Sequence, residues 1–140
     1  AHGIRTNATT SAAVLVAQEQ KPAMMFCSIG TPCTGIFVPF FPLQTKVEEH
    51  YAGTALTNTA IATNLLLIGF YGRMAPTIQN LLRPAEKEVL SEAQNLPAEA
   101  SPDTLTALSQ KWAAKAYKLT EQAHTALQAR IADIFAHRHS

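Results

Sequence analysis

Charge is scarce in this sequence: Asp, Glu, Lys and Arg make up 15% of 140 residues, and 11 basic against 10 acidic side chains leave a net charge of +1. A nucleic-acid partner is therefore disfavoured, because displacing counterions from a phosphate backbone takes a dense Lys/Arg stripe. The one basic cluster, His137-Arg138-His139, is too small for that role. Long hydrophobic runs are missing as well. The longest apolar stretch, Ala60 to Tyr71, is interrupted by Thr63 and Asn64 and falls short of the roughly 20 residues that cross a bilayer, so no membrane partner is expected. Ala1-His2-Gly3-Ile4-Arg5 shows no basic leader ahead of an apolar run, and a cytoplasmic location is the expectation.

Cysteine is limited to two residues, Cys27 and Cys33, separated by Ser28-Ile29-Gly30-Thr31-Pro32. That gap matches neither a redox pair nor a zinc half-site, and no second Cys/His pair stands at a supporting distance, so no metal and no cofactor are expected. A disulfide across the short loop stays open at this level. Cys27, inside an apolar run, reads as a small buried side chain.

What the chain does have is apolar content. Hydrophobic residues reach 47%, with mean hydropathy close to zero at +0.02, which marks a folded chain of one domain's size. Low charge density with abundant Ala and Leu also suits a piece that buries one face against another chain.

The first 42 residues are β in character and the remainder, 43–140, is helical; the two regions are expected to form one structural unit, incomplete without further sequence upstream. Thr9 to Gln18 and Ala23 to Ile29 read as strands, with Glu19-Gln20-Lys21-Pro22 as a hairpin connection. A third short strand, Gly35 to Val38, follows the Gly30-Thr31-Pro32 turn and is expected to stop at Pro39. Helical periodicity begins weakly at Val47 to Tyr51. It becomes clear over Asn58 to Tyr71, a segment apolar nearly all round and so expected to be covered on several sides. Met74 to Asn95 is a further helix in which Pro76 is tolerable near the start, whereas Pro84 implies a break or kink. After the loop at Leu96 to Ala100, Ser101-Pro102-Asp103 supplies a cap, a first-turn proline and an acid at the positive end of the dipole. Leu105, Leu108, Trp112, Ala116, Leu119, Ala123, Leu127, Ile131 and Ile134 then form one stripe, predicting a helix of more than thirty residues whose stripe packs in the core.

Two segments resemble the secernin and cysteine-dipeptidase family. One is His2-Gly3-Ile4-Arg5-Thr6-Asn7-Ala8-Thr9-Thr10-Ser11-Ala12-Ala13-Val14, a His followed by an Arg-Thr and Thr-Thr-Ser run that enters a strand. The other, more specific, is Phe26-Cys27-Ser28-Ile29-Gly30-Thr31-Pro32-Cys33-Thr34-Gly35-Ile36-Phe37-Val38-Pro39, similar to that family's strand, Pro-Cys turn and Phe-x-Pro exit. Together they cover about the first forty residues, in the family's order.

The resemblance implies an α+β chain forming the C-terminal part of the αββα sandwich of the N-terminal-nucleophile hydrolases, a β-hairpin region followed by helices. It also implies cleavage of small peptides or related amides by a cysteine exposed as the first residue of the processed enzyme. The α-amino group of such a cysteine, with a pKa near ~8, serves as general base, and preorganised donors hold the oxyanion. Residue 1 here is Ala, which carries no nucleophile, so no catalytic residue is expected in this chain. The nucleophile is expected from an upstream catalytic segment or a second chain.

Substrate-binding candidates are Arg5, whose planar fork suits a carboxylate; Thr6, one of the hydroxyls at the strand entrance; and Cys33, held in its turn by Pro32 and Gly35 to shape a pocket wall. Glu48-Glu49 and the Glu86-Glu88 pair are expected to be surface charge, and His124 a packed or half-exposed histidine. The reading from a different class is a non-enzymatic helical interaction module, with the long helix as its docking surface.

Overall fold

A computed structural model describes residues 11–29, 33–49, 55–67 and 70–137. The chain is α+β. Three antiparallel strands, β1 (Ser11–Val16), β2 (Met24–Ile29) and β3 (Phe37–Phe40), lie in the order β1-β2-β3 and precede three helices. These are α1 (Ala55–Leu67), α2 (Tyr71–Gln94) and α3 (Pro102–Ala136), the last 35 residues long.

Both hairpin strands are shorter than the sequence implied, because Ala17, Gln18 and Ala23 belong to the connection. Gln20 takes a positive φ of 57° to close that turn. Lys21 then reaches across the molecule, its Nζ donating to the carbonyls of Gln94 at 3.0 Å and Leu96 at 2.9 Å. A lysine ammonium thus satisfies carbonyls left over at the C-terminal end of α2, where cations are favoured.

The expectation that the third strand stops at Pro39 is corrected: β3 runs to Phe40, with Pro39 opposite Phe26. Residues two apart along a strand aim their amides the same way. Since the Phe37 N–H points off the sheet toward Glu86, the Pro39 nitrogen points off the sheet too, and its missing hydrogen removes no ladder bond.

The helices differ from expectation in three places. Lys46 to Glu48 carry no regular structure, while residues 50–54 lie outside the described residues. The expected Asn58–Tyr71 helix ends at Leu67, and Tyr71 opens α2 instead. Nor is α1 covered on several sides. It buries Ala60, Thr63 and Leu67, while Ile61 and Leu65 are 50% and 62% exposed. The third correction concerns Pro84, which does not end its helix: α2 is continuous over 24 residues with both prolines inside. Pro76 and Pro84 are exposed, so the carbonyls they leave unpaired lie toward the solvent side, and burial of Met74, Ile78, Leu82, Ala85, Val89 and Ala93 offsets their cost.

The N-terminus of α3 is as expected, with the Ser101 hydroxyl accepting from the Thr104 N–H at 3.2 Å. Its stripe packs inward. Leu105, Trp112, Ala116, Ala123 and Leu127 are buried, and Leu108, Leu119, Ile131 and Ile134 pack against them. His124 is half-buried beside Thr63, Nδ1 to Oγ1 3.3 Å. The main cluster joins Ile36 and Val38 of the β region to Leu67, to the buried face of α2 and to α3.

Trp112, 1% exposed, sits where α2 crosses α3. A buried indole N–H needs an acceptor, and Glu92 supplies one at 3.0 Å. Lys111 binds the other oxygen of Glu92 at 2.7 Å, Lys115 binds Glu88 at 2.8 Å, and Lys115 Nζ stands 4.5 Å from the indole centroid. The hydrogen bond from Lys111, with further help from Trp112 and Lys115, holds the Glu92 carboxyl below its ordinary value.

Trp112→Ala is expected to cost about 3 to 5 kcal/mol in urea unfolding, because it removes a large side chain from a filled core; a loss under about 1 kcal/mol would contradict that packing. Glu92 has a lowered folded pKa, so its carboxylate contributes stability that is present above the ordinary value of 4.5 and lost as pH falls through the lowered one. Melting temperatures measured from pH 6 down to about pH 3 should therefore fall less steeply for Glu92→Gln than for the parent chain. Parallel slopes would show that the pairing contributes nothing.

Candidate functional site

The corner after β2 is where sequence and structure meet. Cys33 and Thr34 form a turn just before β3, with Thr34, Gly35 and Ile36 buried and Cys33 half-buried. Three side chains on one face of α2 hold this corner: Gln79, Arg83 and Glu86, spaced four and three residues apart and so aligned along the helix. Gln79 Nε2 and Arg83 Nη2 both donate to the Cys33 carbonyl, at 3.0 and 2.8 Å. Glu86 accepts from the other Arg83 nitrogen, Nη1, and takes the Phe37 N–H on its second oxygen at 3.2 Å. One carbonyl and one amide that flank the turn are thus fixed to a single helix. A planar guanidinium suits this task, since it donates in two directions at once.

The Cys33 side chain faces Tyr71 at the start of α2. Their hydrogen bond pushes the Tyr71 hydroxyl above its ordinary pKa, with partial burial adding to the effect and the Arg83 charge opposing it. Beside this corner runs an open groove of about 410 Å³, lined by Gln79, Asn80, Arg83, Pro84 and Lys87. It shares Gln79 and Arg83 with the clamp and brings a second cation, Lys87.

Of the candidates read from the sequence, Cys33 stands in this corner, whereas Arg5 and Thr6 lie outside the described residues. Cys27 and Cys33 are not bonded to each other, and burial pushes the Cys27 thiol up. The expectation of surface charge holds for Glu88, which is exposed and pairs with Lys115, and is corrected for Glu86, which is half-buried in the clamp. Among the described residues, no group of three or more His, Cys, Asp or Glu stands close enough to hold a metal ion. Gln79, Arg83 and Glu86 escaped the sequence reading because they look like the solvated side of an amphipathic helix. The signal available was their common face, shifted from the apolar stripe.

No protein-family model, no curated protein and no solved structure matches this chain.

Arg83→Ala removes one of two donors to the Cys33 carbonyl and leaves Glu86 without its cation. It should cost about 1 to 2 kcal/mol and speed labelling of Cys33 by a disulfide reagent in a Cys27→Ser background. Lysine at position 83 should recover little, because a single ammonium does not reproduce the fork. Unchanged labelling in Arg83→Ala would show that the turn holds its shape without the clamp.

Proposed function

We propose that this chain is the C-terminal portion or subunit of an amide-bond hydrolase of the N-terminal-nucleophile type. Its substrate is a small peptide or amide, and the cysteine nucleophile comes from an upstream catalytic segment or a second chain. The observation that carries this reading is the Cys33 corner, which belongs to the more specific of the two family-like segments. In the folded chain its backbone is fixed from both sides by Gln79, Arg83 and Glu86, beside a groove bearing Arg83 and Lys87. A rigid wall beside the Lys87 ammonium suits a substrate that carries a free carboxylate. No step of bond cleavage falls to the described residues; their part is to bind and orient.

Further support comes from apolar side chains with nothing over them. Val14, Leu15 and Met25 of the sheet and Ile61 and Leu65 of α1 are all exposed, as suits one sheet and one helical layer of a larger αββα sandwich. The stripe of α3 is covered by α1, α2 and β3, so a helical docking module would have to use another face of that helix.

The test compares three preparations on a dipeptide panel. The pure chain should give no turnover. Joined to the sequence encoded upstream of Ala1, it should hydrolyse dipeptides, and Cys33→Phe should lower that turnover with little change in melting temperature. Turnover by the pure chain that is abolished by a Thr or Cys substitution within it would overturn the proposal, as would full activity of Cys33→Phe.

A further inference from the structure

Among the described elements β1 touches β2 and nothing else, and its outer edge is the free edge of the sheet. Such an edge carries a row of backbone donors and acceptors, and proteins usually blunt it with lysine, proline or a bulge. Ser11-Ala12-Ala13-Val14-Leu15-Val16 has no charged residue and no proline, and it pairs with β2 in unbroken one-to-one register. Val14 is 52% exposed and Leu15 71%. Because successive side chains point to opposite faces, apolar surface is open on both sides of the strand.

We infer that this edge pairs with the same edge of a second copy, antiparallel about a two-fold axis through Val14, giving a continuous six-stranded sheet. A second copy meets this uncharged edge without like-charge repulsion, and the geometry fixes its register in two steps. Residues opposite one another in an antiparallel pair share a face, so the axis passes through a residue rather than between two, and Val14 centres the run from Ala12 to Val16. Val14 then meets Val14 of the copy, Ala13 meets Leu15, and Ala12 meets Val16, setting small side chains against large ones.

Extending these pairs through the observed register gives rows that are uncharged from end to end. One runs Pro39, Phe26, Val14 and then Val14, Phe26, Pro39 of the copy; another runs Phe40, Met25, Leu15 and then Ala13, Cys27, Val38 of the copy. No like charges meet, which is the usual obstacle to self-pairing of an edge. Among the described residues no helix contacts β1, so none of these stands in the way. Val14 and Leu15 also stand among the exposed residues that support the hydrolase reading, but edge pairing uses the backbone of β1 and leaves both faces of the sheet open, so the two readings fail separately.

Six residues of edge extend about 20 Å, so the contact is smaller than the ~800 Å² per partner of a standard interface and the dimer is a weak one. Sedimentation of the full chain at about 100 µM, a concentration suited to weak association, should show a dimer of the 15.1 kDa chain. Val14→Lys sets two ammonium groups opposite each other and should yield monomer with an unchanged helical circular dichroism spectrum. Val14→Cys, which stands opposite its own copy at a separation a disulfide spans, should cross-link under mild oxidation, whereas Ala12→Cys should not. A monomeric parent chain at that concentration overturns the inference. So does a dimer that survives Val14→Lys, or a folded Val14→Cys chain that fails to cross-link.

Discussion

Burial of one indole sets the terms for the rest of this fold. The buried Trp112 N–H needs an acceptor, and the Glu92 carboxylate, 38% exposed, reaches it from the rim of the core, where water and Lys111 share its charge. Glu92 supplies the acceptor, Lys111 supplies the balance, and Lys115 closes over the ring while pairing with Glu88. These contacts stand where α2 crosses α3 and, with the apolar faces packed between the two helices, hold the crossing. With the crossing fixed, the face of α2 carrying Gln79, Arg83 and Glu86 is presented to the end of the sheet, and the backbone around Cys33 and Phe37 binds to it.

Seen from the sheet, the same arrangement explains a gradient of support. β3 is pinned by Glu86 and packs Val38 into the main cluster, and β2 packs Met24 and Phe26 against Leu96 and Leu105. At the far side β1 pairs, among the described elements, with β2 alone, and only Val16 reaches the second apolar cluster. The exposed apolar residues Val14, Leu15 and Met25 lie at this weakly supported side, away from the ion pairs of α2 and α3. Stability is therefore concentrated in the helical pair and passed to the sheet through β3.

Much of this was legible in the sequence. The long helix, its Ser101 cap and its stripe follow from period and capping chemistry, which act locally. The β-then-α order and the three strands were likewise readable from residue type and turn signals. Pro39 and Pro84 misled for the same reason: a proline's cost depends on where its missing N–H would have pointed, and that is set by tertiary placement. The Pro39 nitrogen faces off the sheet, and Pro84 deprives the carbonyl of Asn80, an exposed residue of α2, of its helical donor on the solvent side. The clamp on Cys33 was not legible because Gln79, Arg83 and Glu86 are 46 to 53 residues away from it in sequence, and polar residues on a helix give no sign of what they face. The exposed face of α1 was missed because apolar periodicity reports what can be buried, and Ile61 and Leu65 are uncovered here.

Hydrogen exchange of single amides, followed by NMR under native conditions, reaches the central point most directly. If β3 and the Cys33 corner are held by the helical frame, the Phe37 amide should exchange only through the global opening that also releases Trp112, Ala113 and Ala116, with the same free energy. An amide at Phe37 that exchanges far faster than those three, through a local opening of its own, would contradict the account.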